Sequence, residues 1–238
     1  MQEQVTLDRR LKQVVDFIPH GSVLADIGSD HAYVPCYLVQ NGIVDRAIAG
    51  EVNRGPMEAA EAQVALIGAT DKIDVRLGDG LAVLNEDEAT CISICGMGGS
   101  LIRSILEAGK NKLGAVERLV LQPNVDGEHV REWLLASGYV LIDEQIVEEN
   151  DKVYEILVGE RGSETRYSQN EDVRKWQLLF GPYLLERRPD AFKLKWRREA
   201  DKLDYVLGQM RSGEQTEALL EKQRTFTLLR DKMREVSG

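Results

Sequence analysis

Residues 23–33 read Val-Leu-Ala-Asp-Ile-Gly-Ser-Asp-His-Ala-Tyr, and the rest of the chain is interpreted outward from them. A short apolar run, Val23, Leu24 and Ala25, ends in Asp26, turns through Gly28 and enters a helix-like segment. The first strand of a nucleotide-binding α/β sheet delivers its chain to a ligand in this way: the strand ends, backbone N–H groups open, and a helix begins. Further on, a second apolar stretch, Ala47, Ile48, Ala49 and Gly50, ends in Glu51. An acidic residue at that offset is placed to hydrogen-bond both hydroxyls of a ribose. The pattern predicts an adenosine derivative as ligand.

A dinucleotide fits poorly. NAD or FAD binding uses G-x-G-x-x-G so that a pyrophosphate approaches the backbone closely. Here Gly28 is the one glycine of the turn, followed by Ser29, Asp30, His31, Ala32 and Tyr33. Asp30 would set a carboxylate against two phosphates, an unfavourable like-charge contact. S-adenosyl-L-methionine carries a sulfonium and an amino group but no phosphate, and the acidic loop favours it.

The 238 residues suffice for one sizeable domain plus an appendage, or for two small domains. The chain starts Met-Gln-Glu-Gln with no basic-then-apolar signal segment, and it has no apolar run of membrane-spanning length. The three cysteines, Cys36, Cys91 and Cys95, are read as reduced thiols, with Cys91 and Cys95 buried in an apolar strand. The three histidines are scattered, so no metal site is expected. These features describe a soluble cytoplasmic protein without membrane or metal. Net charge is −10, but it is unevenly spread. Residues 1–159 carry 13 Lys/Arg against 26 Asp/Glu, whereas residues 160–238 carry 17 against 14. Such a step suggests two domains with different partners. The later basic residues bunch at Arg187, Arg188, Lys193, Lys195, Arg197 and Arg198, which fits either a phosphate-binding patch or an ordinary solvated helical face.

Strand and helix signals alternate over the first 160 residues, as in an α/β sheet. Leu7, Leu11, Val14, Val15 and Ile18 predict an amphipathic helix over 6–19, stopped by Pro19. Strands are predicted at 22–26, 46–50, 72–77, 90–95, 117–122, 138–147 and 152–159, with helices at 33–41, 55–68, 99–110 and 126–137. Glu148-Glu149-Asn150-Asp151 reads as the turn of a hairpin between the last two strands. Five strands with crossovers followed by an antiparallel pair is the Rossmann-like order of class I methyltransferases. That assigns 1–160 to a cofactor-binding domain. Beyond it, Ser168 and Glu171 suggest a capping box. Two apolar stripes follow, Phe192, Trp196, Leu203, Val206, Met210 and Leu219, Phe226, Leu229, Met233, around a turn at Ser212-Gly213. They predict an all-helical, coiled-coil-like domain over 165–238. Such a stripe closes either within a monomer or across a weak homo-oligomer.

Several runs in order resemble the bacterial tRNA (adenine(22)-N1)-methyltransferase family. They are Asp26-Ile27-Gly28-Ser29-Asp30-His31-Ala32-Tyr33-Val34-Pro35, Ala49-Gly50-Glu51-Val52-Asn53-Arg54-Gly55-Pro56, Arg76-Leu77-Gly78-Asp79-Gly80-Leu81, Gly96-Met97-Gly98-Gly99, Leu121-Gln122-Pro123-Asn124 and Arg131-Glu132-Trp133-Leu134. The resemblance spans roughly residues 7–159; the helical tail agrees in architecture more than in motif. It implies an S-adenosyl-L-methionine-dependent enzyme with a C-terminal coiled-coil domain, methylating N1 of an adenosine in the D-arm region of tRNA.

Asp26 and Gly28 are expected to shape the loop that receives the methionine portion of the cofactor. Glu51 takes the ribose, Asp79 with Gly80 the adenine amino group, and Asn53 lines the adenosine pocket. Asp79-Gly80 equally reads as a plain turn. Gly96, Met97 and Gly98 follow the fourth strand, either as cofactor and substrate contacts or as a tight strand-to-helix turn. An Asn-Pro-Pro-Tyr type motif is missing there, which argues for a ring nitrogen over an exocyclic amine. Gln122 and Asn124 offer amides to a flipped base, or simply end the fifth strand. N1 of neutral adenine already has a lone pair, so the reaction is an in-line displacement governed by alignment. Asp30 is the candidate to stabilise the positive charge left on the base, with His31 and Tyr33 beside it to hydrogen-bond or stack. For the RNA, Arg9, Arg10, Arg54, Arg187, Arg188, Lys193, Lys195 and Arg197 are candidate phosphate contacts. Trp196 is expected to pack the helical pair. Two other functions compete: methylation of a small molecule with the helical tail as lid or dimer interface, and a catalytically silent RNA-binding module.

Overall fold

Seven strands form one sheet in the computed structural model: β1 (Val23–Ile27), β2 (Arg46–Glu51), β3 (Ile73–Leu77), β4 (Cys91–Met97), β5 (Arg118–Pro123), β6 (Tyr139–Glu149) and β7 (Lys152–Arg161). Their order is β3-β2-β1-β4-β5-β7-β6. Strands β1 to β5 pair in parallel, and β7 runs antiparallel to both β5 and β6. The structure describes residues 4–163, 166–211 and 216–238. The central strands are near-continuous apolar runs, Val23-Leu24-Ala25 and Cys91-Ile92-Ser93-Ile94, because helices cover both faces of a parallel sheet. Helices α1 (Arg9–Val15), α2 (Tyr33–Gln40) and α3 (Arg54–Leu66) pack side by side, and α4 (Gly99–Ala108) packs on α5 (Gly127–Ala136). The β6–β7 hairpin turns at Asn150 and Asp151, whose φ values of 49° and 60° are the left-handed pair that a two-residue type I′ turn requires.

The first helix is shorter than its apolar pattern. Asp8 caps it by accepting from the Leu11 N–H at 2.7 Å. Val5, Leu7 and Ile18 are nevertheless buried in the same core from outside the helix, which is why periodicity overran its ends. Helix α6 (Glu171–Phe180) is capped by Asn170, which accepts from Val173 N at 3.1 Å. Ser168 is therefore not the cap; its hydroxyl accepts from the Asn170 N–H at 3.1 Å instead. At the other end of α6 the carbonyls of Leu178 and Leu179 accept from Arg131 Nη1 at 3.1 and 3.3 Å. Arg131 is wholly buried and also reaches Glu144 at 2.6 Å and Glu155 at 2.7 Å, joining α5, β6, β7 and α6.

The chain divides into two compact units, Met1–Gly181 and Pro182–Gly238. Helix α6 belongs to the first unit, so this division falls later than the 160–165 boundary expected from sequence. The second unit holds α7 (Pro182–Arg187), α8 (Asp190–Arg211) and α9 (Glu217–Ser237). Its buried stripe on α8 runs Phe192, Trp196, Ala200 and Leu207, whereas Val206 is 37 % exposed and lies off it. Trp196 is buried edge-on to Phe192, with ring centroids 6.2 Å apart, as packing of the helical pair requires. Between the two long helices Asp204 accepts from Arg230 at 2.5 Å and Arg234 at 2.9 Å. The Ser212-Gly213 turn lies outside the described residues.

Candidate functional site

In the order β3-β2-β1-β4-β5 the chain leaves β1 toward one side and returns to its other side at β4. A crevice opens outside the carboxyl ends of the strands at such a crossover, where open α/β sheets bind ligands. The loops there bring together most of the residues singled out from sequence: Asp26, Gly28 and Asp30 from β1, Glu51 and Asn53 from β2, Asp79 and Gly80 from β3, Gly96, Met97 and Gly98 from β4, Gln122 and Asn124 from β5.

Asp26 is buried, and its two carboxylate oxygens accept from Ser29 Oγ and Ser93 Oγ, each at 2.6 Å. Burial pushes this carboxyl upward against the two hydroxyls, which favour its charged form. Asp26 thus ties the loop after β1 to the middle of β4. Ser93 was not expected from sequence, although a serine between Ile92 and Ile94 in a buried strand was the available signal. The loop takes left-handed backbone at Gly28, Asp30 and Ala32, with φ of 68°, 44° and 53°. Two of these are not glycine and carry strain of about 1 kcal/mol or more each. Glu51 holds the strained turn by accepting the Asp30 N–H. The Glu51 carboxyl is itself buried, and burial pushes its pKa up, with the nearby Asp30 and Asp26 charges adding to the effect. Its second oxygen meets no protein donor among the described residues and is open to a further hydrogen bond.

Asp79 stands exposed at the end of β3, and with Gly80 it borders a cavity of about 480 Å³ that runs along α4 past Leu101, Ser104 and Ile105 to Asn111 and Lys112. The crevice gathers four carboxylates, Asp26, Asp30, Glu51 and Asp79, and among the described residues no basic cradle for a pyrophosphate, so its residues fit S-adenosyl-L-methionine.

Gly96 has φ +76° and sits where the β4–β5 register slips between Cys95 and Met97. Its N–H donates to Gln122 Oε1 at 3.0 Å, and its carbonyl accepts from Asn124 Nδ2 at 2.7 Å. The amides expected at a base edge are therefore engaged by the loop itself, and Gln122 is fully buried. A Cβ built on Gly28 would lie 2.2 Å from Met97 Cε, so Met97 closes directly over the first loop. Asp30 and His31 lie exposed on the rim, with Asp30 Oδ1 3.6 Å from His31 Nε2. His31 stacks on the half-exposed Tyr33 at 5.4 Å between ring centroids.

The basic candidates differ in placement. Arg9 and Arg54 are exposed, whereas Arg10 is half-buried, donating to Gln122 Oε1 at 2.5 Å with Asp8 at 3.5 Å. In the second unit Arg187 and Arg188 are exposed, Arg187 over the Tyr183 ring at 5.2 Å. Lys193 and Lys195 are half-buried, and Arg197 reaches the Ser237 carbonyl at 3.2 Å. Burial pushes the Cys36 and Cys91 thiols up to about 12, which keeps them protonated. Among the described residues no His/Cys/Asp/Glu group is arranged to hold a metal, and no helix is long and apolar enough to cross a membrane.

The model of the TrmK family, tRNA (adenine(22)-N(1))-methyltransferase, matches residues 24–232. This chain belongs to that family. A Bacillus subtilis (strain 168) tRNA (adenine(22)-N(1))-methyltransferase is 45 % identical over 214 residues, 90 % of either chain. The crystal structure of the B. subtilis m1A22 tRNA methyltransferase TrmK superposes with a TM-score of 0.91 at 42 % identity, covering 99 % of this chain and 100 % of that one. A Streptococcus pneumoniae structure in complex with S-adenosyl-L-methionine does so with a TM-score of 0.86 at 39 % identity, covering 98 % and 100 %. The TrmK match runs through the helical unit as well, where sequence motifs were sparse.

Proposed function

We propose that this TrmK-family chain transfers a methyl group from S-adenosyl-L-methionine to N1 of an adenosine in tRNA, position 22 by family. The observation that carries the reading is the acid-lined crevice at the β1/β4 crossover, in a chain matched to the family almost end to end. Glu51 holds the ribose, Asp79 and Gly80 the adenine, and the Asp26–Gly28 loop with Asn53 and Gly96 the remainder of the cofactor. When bound, that cofactor supplies a methyl group activated on a sulfonium. N1 of neutral adenine brings its own lone pair, so the protein has no proton to remove from the nucleophile. Its task is alignment, for which Met97 and Gly98 supply the wall next to the reacting face. The product base is cationic, and Asp30 on the rim is the carboxylate that meets this charge as it develops. His31 and Tyr33 present a stacked aromatic pair to the incoming nucleoside. Arg9, Arg54, Arg187, Arg188, Lys193, Lys195 and Arg197 supply phosphate contacts.

The test is methyl transfer to an unmodified tRNA transcript, followed by nucleoside mass analysis resolving N1- from N6-methyladenosine. The expected product is N1-methyladenosine, lost when the target adenosine is replaced by guanosine. Cofactor binding with no methylated base would overturn the tRNA reading and favour a small-molecule acceptor.

A further inference from the structure

Two groups of the Gly96 peptide lack sheet partners. Strand β4 pairs with β5 up to Cys95 opposite Gln122, then resumes with Met97 opposite Pro123, so Gly96 is bulged out of the ladder. Such a residue needs other partners for its N–H and C=O. Both come from side chains at the end of β5. Gln122 Oε1 takes the N–H at 3.0 Å, and Asn124 Nδ2 donates to the carbonyl at 2.7 Å. Gln122 Nε2 donates to Asn124 Oδ1 at 3.1 Å, and the Asn124 N–H donates to the Met97 carbonyl at 2.7 Å. The two amides and the turn thus form a closed ring of hydrogen bonds.

One residue outside the loops enters this ring. Arg10, on α1, donates from Nη1 to the same Gln122 Oε1 at 2.5 Å, while its guanidinium lies 5.4 Å from the Tyr154 ring centroid. A guanidinium only donates, whereas an amide side chain can present either end. The Gly96 N–H selects the Oε1 end of Gln122, and Arg10 adds a second, charged donor to that oxygen, which holds Nε2 toward Asn124 and the Asn124 amino group toward the Gly96 carbonyl. A charge-assisted bond to a wholly buried amide is the strongest member of the set. The bulge it holds carries Met97, whose terminal methyl lies over Gly28.

We infer that Arg10, Gln122 and Asn124 are positioning residues for methyl transfer: they lock the Gly96 bulge and so set Met97 against the loop that receives the cofactor. The inference rests on the methyltransferase reading above. It assigns Arg10 a role different from phosphate binding, and the two roles separate in kinetics. A phosphate contact acts on tRNA affinity and its salt dependence. A positioning residue acts on the turnover of bound substrate.

The experiment uses the full-length chain with tRNA transcript and S-adenosyl-L-methionine, comparing Arg10→Met, Arg10→Lys, Asn124→Ala, Gln122→Met and the double variant R10M/Q122M. Asn124 is exposed, so its variant keeps the test valid should the buried Gln122→Met fail to fold. Arg10→Met and Asn124→Ala are expected to lower kcat about tenfold with the KM for tRNA unchanged within about twofold. Arg10→Lys, which keeps a donor, should recover most of the loss. In the Gln122→Met background, Arg10→Met should add less than about threefold, because both act through one ring. The salt dependence of tRNA affinity should be the same in Arg10→Met as in the unaltered chain. An Arg10→Met variant that keeps kcat, raises KM and flattens the salt dependence would make Arg10 a phosphate contact and overturn the inference. So would an Asn124→Ala variant with full kcat. No methyl transfer by the unaltered chain would instead overturn the methyltransferase reading itself, and the inference with it.

Discussion

Burial of the Glu51 carboxyl at the end of β2 raises its pKa, and the sign of that shift has two consequences. A carboxyl with a folded-state pKa above its unfolded value holds its proton more tightly in the folded chain. Its contribution to stability is fullest below the unfolded pKa and is lost as pH rises through the folded one. Above that folded-state pKa the ionised Glu51 therefore weakens the fold, while in the proposed function its second oxygen accepts from a ribose hydroxyl. Glu51→Gln keeps an acceptor for the Asp30 N–H. It should raise the thermal midpoint at pH above the folded-state pKa of Glu51 yet weaken S-adenosyl-L-methionine binding tenfold or more, about 1.4 kcal/mol or above. Calorimetric titration and thermal unfolding of the same samples check both signs. In the unaltered chain cofactor affinity should also fall as pH drops through the raised pKa of Glu51, a dependence Glu51→Gln should flatten. Gly28 sets a second limit at this scale. Any side chain there meets Met97 Cε and a φ of +68°, so Gly28→Ala should cost about 1–2 kcal/mol in denaturant unfolding. Adding Met97→Ala should remove the collision without removing the backbone cost.

At the scale of elements, α5 and α6 depend on one buried guanidinium. Arg131 pairs with Glu144 and Glu155 and closes the last carbonyls of α6, with none of its side chain exposed. Arg131→Met removes the guanidinium that Glu144 and Glu155 share in the core and should cost about 3–5 kcal/mol. Neutralising both partners in the same chain, as R131M/E144Q/E155Q, should recover much of that loss, since apolar or neutral replacements of buried ion groups are often tolerated. Denaturant unfolding of the single and triple variants measures the difference. The closeness of α4 to α5 has an equally local cause: a Cβ on Gly99 would lie 2.0 Å from the Asp126 carbonyl oxygen, which is backbone and cannot turn aside.

For the whole molecule the charge step survives the later unit boundary. Pro182–Gly238 carries 13 basic residues against 10 acidic, on a chain of net charge −10. If the second unit supplies RNA contacts, replacing Arg187, Arg188 and Lys193 together by alanine should weaken tRNA binding by about tenfold or more at low salt. It should also shallow the plot of log affinity against log salt by about 0.7–0.9 for each phosphate left without its cation. Cofactor affinity should stay unchanged. Fluorescence titration with tRNA at several salt concentrations gives both values, and an unaltered slope would remove the basic cluster from the RNA footprint.

The order of strand signals, the acid at Glu51 and the single glycine of the first turn were legible from sequence because each is a local property: periodicity, offset and turn chemistry. They determined the sheet, the class of cofactor and the family resemblance. What Arg10, Gln122, Asn124, Ser93 and Arg131 do was decided by tertiary structure alone. Their partners lie far along the chain: 112 residues separate Arg10 from Gln122, and 67 separate Ser93 from Asp26. A polar side chain in a sequence advertises a capacity to donate or accept, and only packing settles which group receives it. Gln122 and Asn124 looked like ligands for a base for that reason. The slip in β4–β5 pairing, invisible to any local pattern, left the Gly96 peptide to be satisfied, and that unmet need claimed their amides first.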